Sequence, residues 1–160
     1  MSNDWLSCSR CGKSYEVSVG QSSKRGILRW SASLVCRSCD EQQELDGVGL
    51  PPPELRSTIV AREGVRVLTV EPGADTISAL RVLQEILYLS DDAVTSLARN
   101  LHGAVLAGTP YEIEWLLGVL RSRGISASSA AEGGSGESRA VDLAAIVPED
   151  WADKWMPSSD

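Results

Sequence analysis

The sequence predicts an α+β protein made of two unequal parts, a small cysteine-tied β unit over residues 1–46 and a compact strand-helix-helix-strand-helix-strand unit over residues 54–132. Three observations carry this reading. The chain's four cysteines stand as Cys8-x2-Cys11 and Cys36-x2-Cys39, with 24 residues between the pairs. Charge divides at the same border: residues 1–46 hold six Lys and Arg against six Asp and Glu, so the whole net charge of -7 lies after Asp46. Strand-like alternation before the border then gives way to helical spacing after it.

The first unit contains two alternating segments, Ser14–Val19 and Ile27–Val35, joined by the polar turn Gly20–Gly26. Gly47-Val-Gly-Leu-Pro-Pro-Pro53 mixes stiff and permissive residues and reads as a linker. Pro53–Glu63 reads as a short helix ended by Gly64. Val65–Val70 alternates and is rich in β-branched residues, the pattern of a strand. Ile77, Leu80, Leu83, Ile86 and Leu87 recur at helical spacing, and Val94, Leu97, Ala98 and Leu101 do so again after a break at Ser90. Gly103–Gly108 is a short apolar run suited to a buried strand. Thr109-Pro110-Tyr111-Glu112 spells a helix start, with a Thr cap, Pro in the first turn and Glu closing a capping box. Ile113, Leu116, Leu117 and Leu120 line that helix until Gly124, and Ile125–Ser129 is expected as an edge strand. Residues 133–138 read as a flexible Gly/Ser linker to a Trp-containing tail, residues 139–160.

Composition narrows function. With 42% hydrophobic and 23% charged residues the chain is globular, and with five Trp, three Tyr and no Phe its core is chiefly aliphatic. Its net acidity argues against broad electrostatic binding to nucleic acid. No apolar run approaches a membrane span and the first residues lack a signal-peptide pattern, so a cytoplasmic location and no membrane partner are expected.

Reducing surroundings make a metal a better account of the four cysteines than disulfides. Two residues between thiolates let each pair grip one ion, and Cys8, Cys11, Cys36 and Cys39 together supply a closed tetrahedron. Zinc is the expected cofactor, with iron in a rubredoxin-like site as the alternative. Gly12 suits the positive φ of such a turn, whereas Asp40 follows the second pair, so the two turns are expected to differ. Trp30 and Tyr15 are read as a minimal core against the metal in preference to base-stacking groups.

Cys8-Ser-Arg-Cys11-Gly12 and Cys36-Arg-Ser-Cys39 resemble the zinc ribbon class over about 40 residues, a likeness that does not select a function. Residues 65–129 resemble the C-terminal domain of the bacterial large-subunit ribosomal stalk protein, most clearly over Leu101–Ala127. The resemblance implies a noncatalytic α+β fold that recruits translation GTPases through a Lys- and Gly-rich helical surface. Here that surface is replaced by Ser90–Arg99, and no Lys occurs between Lys24 and Lys154, so the GTPase partner does not carry over.

Catalytic constellations are thin. His102 reads as a helix-end residue, and the carboxylate pairs Asp91/Asp92 and Glu112/Glu114 read as solvated groups favoured by helix dipoles. No phosphate-loop, dinucleotide or nucleophile-elbow motif occurs, and neither catalysis nor a small-molecule substrate is expected. The resulting expectation is a protein-binding adaptor with a structural metal; the alternative is a transcription or translation accessory factor whose ribbon contacts nucleic acid. Trp151 and Trp155, four residues apart on the tail, are expected either to fold back on the chain or to dock on a partner protein.

Overall fold

In the computed structural model, which describes residues 6–23, 26–71, 76–99, 104–132, 140–151 and 153, the chain is α+β. Strands β1 (Glu16–Ser22), β2 (Arg29–Val35) and β3 (Gln42–Val48) form an antiparallel meander. Helix α1 (Pro53–Glu63) follows, and then β4 (Arg66–Val70), α2 (Thr76–Leu87), α3 (Asp91–Ala98), β5 (Ala104–Gly108), α4 (Pro110–Ser122) and β6 (Ala127–Ala131). The tail adds β7 (Val141–Asp142) and α5 (Leu143–Ile146). The second sheet has the order β6-β4-β5-β7, antiparallel except where β5 meets β7, so β6 is at an edge as the polarity of its residues predicts.

Several boundaries differ from those the sequence suggests. β3 occupies residues that the alternation misses, because only Leu45 and Val48 are aliphatic and most of the strand faces water. Gly47 and Val48 therefore belong to a strand instead of a linker. Gly47 pairs with Trp30, whose indole lies so close that a Cβ at 47 would stand 2.6 Å from Nε1. β1 runs on through Gly20, Gln21 and Ser22, where a turn is expected. Ile77 is 64% exposed, since the buried face of α2 is instead Ala79, Val82, Leu83 and Leu87.

α1 packs on the first sheet. Leu55 and Ile59 join Val19 and Ala32 in a four-residue core, edged by Trp30 and Leu45. Helix α1 thus completes the cysteine-tied unit, although the sequence groups it with the part that follows. The larger core gathers Leu68, Leu83, Leu97, Val105, Leu116 and Leu120, together with Leu28 from the β1–β2 connection and Leu143 and Trp151 from the tail. Apolar burial therefore crosses the border between the two units.

So does a polar network. The capping box at Thr109 and Glu112 forms as the sequence predicts, but Glu112 is fully buried where a solvated carboxylate is expected. Its carboxylate accepts from Arg56 Nη2 at 2.8 Å, Gln21 Nε2 at 2.9 Å and the Thr109 amide at 3.1 Å. Thr109 Oγ1 donates to Gln21 Oε1, and Arg56 also donates to Asp142 through Nη2 at 2.9 Å. Gly108 makes room, because a Cβ there would stand 2.7 Å from Glu112 Oε1. Replacing Glu112 with Ala strands the buried Arg56 with Asp142 alone and should lower stability by about 3–5 kcal/mol in urea unfolding of the metal-loaded chain. A loss below about 1 kcal/mol would show that the network is dispensable.

Candidate metal centre

Both cysteine pairs lie on turns at one end of the meander, the first ahead of β1 and closed by the Ser7–Ser14 bridge, the second between β2 and β3. Their backbones follow one pattern. The Cys8 amide donates to Lys13 O at 2.7 Å and the Gly12 amide to Cys8 O at 2.8 Å; the Cys36 amide donates to Glu41 O and the Asp40 amide to Cys36 O, each at 2.8 Å. Gly12 has φ 76° and Asp40 has φ 61°. The turns are equivalent after all, for Asp tolerates the left-handed region better than most residues and takes the place glycine holds in the first.

The four Sγ atoms lie within 4.8 Å of one another, with Cys8–Cys39 and Cys11–Cys36 each at 3.4 Å. A zinc–sulfur bond of about 2.3 Å implies a tetrahedral edge of roughly 3.8 Å, inside that spread. The donor set fits a tetrahedral ion of this kind. Cys8 and Cys36 are buried, Cys39 half-buried and Cys11 exposed, so the cluster is partly shielded and reaches solvent at Cys11.

Protons are held unevenly among the thiols. Cys8 is pushed up to about 12, first by its hydrogen bond to Glu41 Oε2 at 2.9 Å and then by burial. For Cys36 burial works in the same direction, but the Cys39 amide, the Cys11 thiol and the Ser38 amide outweigh it and hold the group down at about 7. Thiolate is the ligating form, so metal uptake displaces the Cys8 proton.

The other candidate residues are scattered. Trp151 is 2% exposed; its indole donates to Ile86 O at 2.8 Å and packs 5.7 Å from the Trp115 ring. It belongs to the chain's own core, with one side lining an open groove beside Val147. Trp155 and His102 lie outside the described residues, as does the 133–138 segment. Asp91 and Asp92 lie exposed in the first turn of α3, which Ser90 caps, as expected. Sequence reading missed the network around Glu112; its only local signal was the capping box. No helix among the described residues is long and apolar enough to cross a membrane. No protein-family model matches the chain, and neither a curated protein nor a solved structure matches it.

Purified under reducing conditions, the chain should carry one tightly held divalent ion, and loading it into metal-free protein at neutral pH should release protons. Chelation should melt the signals of β1–β3, because a core of four buried residues cannot hold that sheet alone. Unchanged amide spectra after complete metal removal would refute a structural role. The two turns make a sharper pair of expectations. Gly12→Ala meets no atom within 4 Å, so its cost is backbone strain of about 1–2 kcal/mol. Asp40→Gly relieves the same strain and should be neutral or slightly stabilising. Equal losses from both in thermal melts of loaded protein would contradict the equivalence.

Proposed function

We propose that the chain is a noncatalytic protein-interaction module, an adaptor, whose N-terminal unit is held by structural zinc. Four sulfur donors would close the tetrahedron and leave no position for a substrate, an arrangement that suits structural zinc. The likeness to the stalk-protein domain supports a binding role of the same kind, without its GTPase partner.

The observation that carries the reading is an open groove of about 970 Å3 between the two units. It is lined by Trp30 and Val48 of the meander, by Pro51 and Val60, and by Val147 and Trp151 of the tail. Its apolar lining suits a protein segment. Arg56 reaches it already shared between Glu112 and Asp142, and Glu149 stands at the rim, so carboxylates outnumber cations. Such a groove favours an apolar segment bearing a Lys or Arg. The Trp30 indole N–H has no acceptor among the described residues and is available to a carbonyl of that segment.

The accessory-factor alternative needs a basic ribbon. Arg37 is paired with Glu16, and the six cations of residues 1–46 are matched by six carboxylates, so the ribbon has no net positive charge to meet phosphates. The test is affinity capture with the metal-loaded chain, followed by measured affinities for the recovered partner. Ser57→Arg puts a cation on the exposed edge of the groove and should weaken that affinity at least about tenfold, with a shallow salt dependence. Recovery of nucleic acid with a steep salt slope, or indifference to Ser57→Arg, would reject this reading.

A further inference from the structure

Gly118 sits in the middle of α4, where glycine costs about 1 kcal/mol relative to alanine. Nothing inside the molecule accounts for it. A Cβ at 118 would meet no atom within 4 Å, and the residue has no positive φ that would require glycine. It is exposed, on a stripe with Tyr111, Glu114 and Arg121, in a shallow depression of about 480 Å3 that also includes Arg66 and Ser129.

The charges on this stripe are unspent. Among the described residues Glu114 has no ion-pair partner, and neither has Arg121, whose Nη2 donates only to the Ala127 carbonyl at 3.3 Å. Arg66 likewise donates to Ser129 Oγ at 3.1 Å and meets no carboxylate. Glu114 lies four residues before Gly118 and Arg121 three after, about 6 Å and about 4.5 Å along the axis in opposite directions. That arrangement is self-complementary. Turned about a two-fold axis through Gly118, an identical helix brings its Arg121 opposite Glu114 and its Glu114 opposite Arg121, within an axial mismatch that flexible side chains absorb.

We propose that α4 pairs antiparallel with α4 of a second copy across a two-fold axis at Gly118. The missing side chain at the crossing point lets the two backbones approach closely, near the lower end of the usual 8–10 Å between packed helices. Two reciprocal Glu114–Arg121 pairs fix direction and register, and Arg66 adds a second cation toward the incoming Glu114. The interface is isologous and closed, so it yields a dimer and not a filament. One 13-residue helix offers a small contact, and each chain carries a net charge of -7, so the association is weak. It is independent of the groove and of the adaptor reading.

Sedimentation equilibrium of the full metal-loaded chain up to about 1 mM tests this, and the average mass should climb toward twice that of the chain. Gly118→Leu meets no internal obstacle and improves helix propensity, so the monomer should keep or gain thermal stability while self-association weakens at least about tenfold. Glu114→Arg alone and Arg121→Glu alone each set like charges opposite one another and should stay monomeric. Mixed in equal amounts, these two single variants should associate one to one, an outcome that merely structural damage would not produce. A wild-type chain monomeric throughout the range overturns the proposal, as does association indifferent to Gly118→Leu or a mixture that stays monomeric.

Discussion

Three separated segments of the chain meet at one buried carboxylate, and a fourth joins through its arginine. Glu112 holds the end of β1 through Gln21, α1 through Arg56 and its own helix start through Thr109, and Arg56 passes the contact on to β7 through Asp142. Its net stabilisation is modest, since a buried ion pair spends much of its attraction on desolvation. Its effect is on specificity. An arrangement of the two units that drew Arg56 away while Glu112 stayed buried would leave the carboxylate without its counter-charge, at several kcal/mol. The burial of Leu28 and Trp151 in the same larger core adds affinity to an interface whose geometry the network has chosen.

The two units reach stability by different routes. The three helices and four-stranded sheet enclose enough aliphatic surface to form a core of ordinary kind. The meander does not, even with α1 laid against it. An ion held by the four thiols, at the far end of the meander from Gln21, would close the gap, because the unfolded chain has no such site and the binding free energy becomes folding free energy. The cysteine cluster and the carboxylate therefore lie at opposite ends of the same sheet.

What the sequence revealed was whatever rests on local chemistry. The cysteine spacing located the four thiols that the fold gathers into one cluster, and Thr109-Pro110-Tyr111-Glu112 located the start of α4 together with both halves of its cap. The helix over Pro53–Glu63 ran from proline to glycine as read. Pattern failed where tertiary contact overrides it. β3 carries Gln, Glu and Asp on its open face and has no alternation to detect, so it exists only because β2 offers a ladder. Glu112 looked solvated because a capping glutamate normally is; the arginine that buries it lies 56 residues away, and no local rule connects them. Asp40 looked like a departure from Gly12, yet identical backbone hydrogen bonds show that the turn tolerates either residue.

Trp151 illustrates how far a composition-based argument reaches. A tail with two tryptophans is costly to leave in water, and for Trp151 that reasoning holds: the ring is buried and its N–H is satisfied. Yet the tail is not a simple cover. Val141 and Asp142 extend the sheet beside β5, Asp142 caps α5 and at the same time takes a second share of Arg56, and Val147 and Trp151 line the groove. The tail therefore helps to create the groove itself. Loss of Asp142 from its place would free half of Arg56 and disturb the groove lining together, which ties the shape of the groove to the same charge network that joins the two units.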